Sequence, residues 1–163
     1  MALKTDVNAQ FAAIKAMIEQ DGDRAYRATL DQMDESADEM VMLAKQNAPV
    51  DRYNLENAIG RTNAHEKGVT RSVRNPATGQ YMPYKVTVFV ADEVADEETG
   101  AMVNIKGYSV IMEESDRYNS SREGNMAKRA AGGDPGRKYM ERAKVEVDSH
   151  IVEKIRAKVR RVV

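Results

Sequence analysis

The chain has 163 residues, 42% of them apolar and 31% charged, with 25 bases against 26 acids. A chain of this size fits one domain that buries roughly 70% of its unfolded surface, and its balanced charge argues against a domain-wide basic field for nucleic acid. The absence of cysteine excludes disulfides, thiolate nucleophiles and cysteine–zinc sites, and two histidines, His65 and His150, exclude a histidine-rich metal centre.

The amino terminus lacks the long apolar core of a secretion signal, and no run approaches the ~20 apolar residues of a membrane span, so a soluble product of a cytoplasm is expected. Charge is unevenly laid out. Residues 92–116 carry eight acids and one base, Lys106, for a net −7, whereas residues 137–163 carry nine bases and four acids, for a net +5. Such runs are solvated faces or, in a sharper reading, complementary surfaces of neighbouring subunits in a ring.

In chain order, residues 7–20 predict a first helix with Val7, Phe11, Ile14, Met17 and Ile18 on one stripe. Asp21-Gly22-Asp23 interrupts it. A second helix is predicted over 24–48, where Leu30, Met33, Ala37, Met40 and Ala44 step by 3, 4, 3 and 4. Pro49 ends it, because proline forces the preceding residue out of helical geometry. A short helical turn over 54–60 carries Leu55 and Ile59. The period then changes to that of strands over 69–74 and 84–91, joined through the Pro76-Ala77-Thr78-Gly79 turn, with a third strand over 101–105.

Residues 115–136 mix glycine and serine with charges and predict a long flexible loop or arm. The segment from Arg122 to Lys138, with Arg122, Lys128, Arg129, Arg137 and Lys138, could meet phosphates, but no aromatic residues interleave with them for base stacking. The last helix is predicted over 138–161 on a face of Met140, Ala143, Val147, Ile151, Ile155, Val159 and Val162. The expected fold is α+β. A small, mostly antiparallel sheet is packed by a long N-terminal and a long C-terminal helix in a single domain over 1–163, with 1–22 as a helical extension.

Two stretches stand out as motifs. Ala48-Pro49-Val50-Asp51 with Leu55 and Ile59 forms a corner in which proline stops a helix, Asp51 accepts backbone donors of the next turn and the two aliphatic residues return to the core. Tyr108 to Glu114 is an apolar segment opened by a tyrosine and closed by the paired carboxylates Glu113 and Glu114. Adjacent carboxylates face opposite sides of a strand or lie about 100° apart on a helix, so an acid–base or metal site there needs other acids to converge on one of them. Glu113 reads instead as an inter-subunit or loop-anchoring partner for an arginine. His65 and His150 have no paired ligand at useful spacing and read as surface residues.

The succession of long helix, Ala-Pro corner, strands, tyrosine–glutamate segment, glycine-rich loop and final helix resembles the neck proteins of tailed bacteriophages. The nearest group is the tail-completion or head–tail joining family of minor tail proteins, which is similar in fold to tail terminators. That family shows Ala-Pro-Val-Asp-Thr-Gly-x-Leu-x-x-Ser-Ile. Ala48, Pro49, Val50, Asp51, Leu55 and Ile59 match it, while Arg52 and Tyr53 replace Thr-Gly and Ala58 replaces Ser. Glycine there allows backbone angles that Tyr53 adopts only at a cost, so a different turn or a continued short helix is expected. Tyr108 and Glu113 fit a Tyr-Ala-x-x-x-Glu-x-Gly pattern, and Tyr139, Met140 and Ala143 fit the step that opens the last helix.

The resemblance implies a structural virion protein assembled in the host cytoplasm. Copies would form a ring, expected as a hexamer, at the end of the tail tube where the head connector docks. DNA would pass through its channel without specific binding, and the function would need no catalytic residue, cofactor, metal or membrane. Asp96, Glu97 and Glu98 are the candidate lumen or ring-contact residues. Two other classes stay open. A DNA-binding regulator would use the basic last helix, with affinity falling steeply with salt. A metal-dependent hydrolase would lose activity on mutation of Glu113.

Overall fold

The computed structural model describes residues 7–50, 55–62, 73–96, 99–107, 109 and 123–163. Its architecture is α+β. In chain order the elements are α1 (Val7–Asn47), α2 (Leu55–Ala58), β1 (Ile59–Thr62), β2 (Thr87–Val90), β3 (Glu93–Ala95), β4 (Met102–Asn104), α3 (Glu123–Ala130), α4 (Tyr139–Asp148) and α5 (Ile151–Val159). Among the described residues the strands form two two-stranded antiparallel ladders, β1 with β2 and β3 with β4, where one small sheet was expected.

The two N-terminal helices of the sequence reading are one. α1 runs unbroken for 41 residues, which at 1.5 Å per residue is about 60 Å. Asp21-Gly22-Asp23 does not interrupt it, because one helical glycine costs only about 1 kcal/mol and a tertiary contact uses it. A Cβ on Gly22 would stand 2.7 Å from the Tyr81 hydroxyl. Tyr81 stacks on Tyr26 of the same helix at 4.4 Å between ring centroids, and the Tyr26 hydroxyl donates to the Met82 carbonyl. Arg74 lies over the Tyr81 ring and donates to Asp23 at 2.6 Å. The residues around the predicted Pro76–Gly79 turn are thereby fastened to α1. Of the strand expected over 69–74, Arg74 pairs with Tyr81 as an isolated bridge, and 69–72 lie outside the described residues.

The core forms where the C-terminal half of α1 meets α2, β1 and α4. Ala44, Ala48, Leu55, Ala58, Ile59, Val94, Ile105, Tyr139 and Ala143 are buried together there. The short helix expected over 54–60 occupies only Leu55–Ala58, and Ile59 already pairs with Val90 as the first residue of β1. The expected strands over 84–91 and 101–105 hold β2 and β4.

Of the flexible loop expected over 115–136, residues 115–122 lie outside the described residues and 131–136 are turns and irregular backbone, but 123–130 are not a loop. Residues 123–130 form α3, which is clamped to the end of α1. The Asn125 side chain is 1% exposed and its Oδ1 accepts the Val50 N–H at 2.7 Å. A Cβ on Gly124 would lie 2.6 Å from Val50, so only glycine allows this approach. Lys128 Nζ donates to the carbonyls of Lys45 at 2.7 Å and Ala48 at 2.8 Å, and pairs with Glu56 at 2.8 Å. The C-terminal carbonyls of a helix lack intrahelical partners, and a lysine is well suited to both them and the helix dipole.

The last helix is also corrected. It breaks at Ser149-His150 into α4 and α5. The Ser149 hydroxyl donates to the Glu146 carbonyl at 2.6 Å, a local bond that competes with the helical ladder, and the His150 N–H turns back to Val147. Both halves lie along α1, with Ala143 and Val147 buried and Ile151, Ile155 and Val159 partly so.

Candidate assembly surfaces

The motif residues converge inside the protein. Ala48 and Leu55 are fully buried, Tyr139 is 1% exposed and is the largest fully buried side chain, and Pro49 is buried beside them. Residues some 90 positions apart in the chain thus meet in one cluster with Ile59 and Ala143. They form the joint between α1, α2 and α4 and are closed to a partner's surface. Asp51, Tyr108 and Glu113 lie outside the described residues, as do Glu97 and Glu98.

Asp96 is described, and its carboxylate holds a turn. Its Oδ1 accepts the Thr99 N–H and the Thr99 hydroxyl, both at 2.8 Å, while its carbonyl accepts the Gly100 N–H. This is the tight connection between β3 and β4, which an aspartate at the turn start favours.

The basic C-terminal segment finds partners within its own chain. Lys154 pairs with Glu39 at 2.6 Å and Lys158 with Glu35 at 2.7 Å, so two successive turns of α5 are tied to two successive turns of α1. His150 Nε2 lies 3.2 Å from the same Glu39 carboxylate, which places this histidine at an ion-pair cluster of the helix joint. The hydrogen bond from Lys154 holds the Glu39 carboxyl below its usual value of 4.5, against the opposing effect of burial. About 100° round α1 from Glu35 and Glu39, Arg61 of β1 forks onto Asp38 at 2.6 and 2.9 Å and reaches the buried Asp34 at 2.8 Å; Asp34 also accepts the Tyr84 hydroxyl at 2.6 Å. The Asp38 hydrogen bond holds the Arg61 guanidinium more firmly protonated than usual.

Among the described residues, two apolar features are of note. The first is the N-terminal section of α1, where residues 12–20 are all exposed and Ile14, Met17 and Ile18 are 52%, 64% and 67% accessible. The second is a groove of about 410 Å³ between α1, the run into β2 and the α4–α5 joint. Met33, Met40, Val86, Val88, Val147 and Ile151 give it apolar walls, and Lys85, Lys144 and Asp148 stand at it too. Val86 and Val88 share one face of an alternating run, a signal present in the sequence, but their meeting with α1 is not.

Among the described residues there is no group of three or more acids or histidines placed to hold a metal ion, and no helix long and apolar enough to cross a membrane. Comparison of the chain with family models, curated proteins and solved structures gives no match.

Proposed function

We propose that the chain is a structural subunit of a tailed-phage neck. Copies form a ring, a hexamer by the pattern of the family it resembles, that completes or terminates the tail and joins it to the head connector. The ring works mechanically. It stacks between the tail tube and the connector or adaptor, leaves a channel through which DNA slides without specific binding, and performs no chemical step. The virion neck is its place, after assembly in the host cytoplasm.

The observation that carries this reading is the burial of two separated family motifs in one joint, with Ala48, Leu55 and Ile59 of the first against Tyr139 and Ala143 of the last. The motif similarity then reflects a shared framework: it fixes how the long helix, the sheet and the final helices meet. A DNA-binding regulator using the basic helix is less well supported, since Lys154 and Lys158 are committed to Glu39 and Glu35 of α1.

Imaging of particles that carry a tagged copy of the chain tests the proposal. The tag is expected at the head–tail junction, and removal of the gene product is expected to leave filled heads and separate tails. Complete particles without the tag, or unchanged joining without the protein, would refute it.

A further inference from the structure

We infer that His150 is a proton-dependent tie: a proton taken up by its imidazole fastens the α4–α5 joint to α1. This holds independently of the neck reading above.

The hydrogen-bond inventory around the ring sets the direction. His150 stands between α4 and α5, with Nε2 3.2 Å from Glu39 Oε2 and Nδ1 3.3 Å from the Ser149 hydroxyl. A carboxylate can only accept. The hydroxyl has a single proton, which goes to the Glu146 carbonyl at 2.6 Å, so Ser149 turns a lone pair toward the ring. Both ring nitrogens therefore face acceptors. Neutral imidazole has one N–H and leaves one of these contacts unmade, whereas imidazolium has two and makes both. Glu39, held below 4.5 by the hydrogen bond from Lys154, stays charged throughout the range in which an imidazole changes state.

The charged groups around the joint do not reverse this. From α1, Glu39 and Glu35 are met by Lys154 and Lys158 of α5 at 2.6 and 2.7 Å. From α4 come Glu146 and the Lys144–Asp148 pair, and Lys85 stands at the groove beside Asp148. Lys154 opposes a charge on the ring, since both reach the same Glu39 oxygen. Acids and lysines otherwise balance, so the number of N–H groups on the ring decides.

The joint is a place where one such bond counts. No residue of α5 is fully buried, so its seat on α1 depends on partly buried aliphatic side chains and on these polar ties. A site that binds a proton better docked than undocked gains stability as pH falls and loses it as pH rises, here between about pH 6 and about pH 8.

Full-length chains carrying His65→Gln keep His150 as the one histidine. Their unfolding by urea is measured at about pH 8 and about pH 6, with and without His150→Gln, which cannot take up the proton. On going to the lower pH, the folding equilibrium of the chain with His150 is expected to gain about threefold over that of the His150→Gln chain. Ser149→Ala keeps the histidine and removes the second acceptor, and is expected to lose most of that gain; a merely structural role for the serine would shift stability alike at both pH values. Equal pH responses with and without His150, or a gain at the higher pH, would overturn the inference. Should His150→Gln fail to fold, NMR of the ring nitrogens in the unaltered histidine decides. Imidazolium is expected to persist to higher pH in the folded chain than in urea, and the reverse order or no difference would equally overturn it.

Discussion

From Ala44 to Val50 the long helix ends inside the protein, whereas from Ala12 to Gln20 the same helix runs through solvent. At the first end every kind of support is present: Ala44, Ala48 and Pro49 are buried, Lys128 donates to the carbonyls of Lys45 and Ala48, and Asn125 accepts the Val50 N–H. At the second end, isoleucine and methionine face water. Yet both stretches have the apolar spacing of an amphipathic helix. The difference shows that periodicity reports which side of a helix is apolar, while the cover for that side comes from elsewhere.

Breaking the supported end should have the largest effect. Tyr139→Ala empties the centre of the joint and is expected to cost about 3–5 kcal/mol, read from chemical denaturation. Lys128→Ala leaves two helix carbonyls and Glu56 without their cation. A loss of about 1.5–3 kcal/mol is expected, with hydrogen exchange rising first at the residues that follow Gln46.

Next comes the ionic tie between α5 and α1. Glu39 has a folded-state pKa below its unfolded value of 4.5, so its contribution is fully present above that value and is lost as pH falls through the lower folded one. Glu39→Gln should therefore lower stability at pH 7 by about 0.5–1 kcal/mol and flatten the acid side of the stability profile below pH 4.5. The smallest effect on the fold belongs to the bare end. Ile18→Asp should change stability by less than about 0.5 kcal/mol in the same denaturation measurement. A large destabilisation by Ile18→Asp would erase the contrast between the two ends.

Much of the framework was readable from residues alone. The 3–4 spacing from Leu30 to Ala44, the stop at Pro49, the strand-like run before Val90 and the apolar face from Met140 to Val159 all correspond to elements of the fold. The misreadings share a cause. Gly22 looked like a break because its local cost is visible in the sequence, whereas the ring of Tyr81, which needs that missing side chain, is 59 positions away. The polar, glycine-containing stretch 123–130 looked like a flexible arm because its anchors on Val50 and Ala48 are 75 and 80 positions distant. Ser149-His150 carried a local signal in a serine able to bond back to its own helix, but the continuous apolar face across it concealed the break. The groove is the extreme case. Three separate stretches of chain build it, and none of them shows a concavity by itself.

The unbroken winding of α1 has one more result. An α-helix turns about 100° per residue, so the direction in which Ile14, Met17 and Ile18 point is geared to the direction of Met33, Ser36, Ala37 and Met40, roughly 100° apart around the axis. A single residue inserted between Gln20 and Leu30 would swing the outer end by that same angle while lengthening the rod by only about 1.5 Å. A seven-residue insertion would lengthen it by about two turns and swing it by only about 20°. The spacing of this chain is therefore a matter of phase as well as reach.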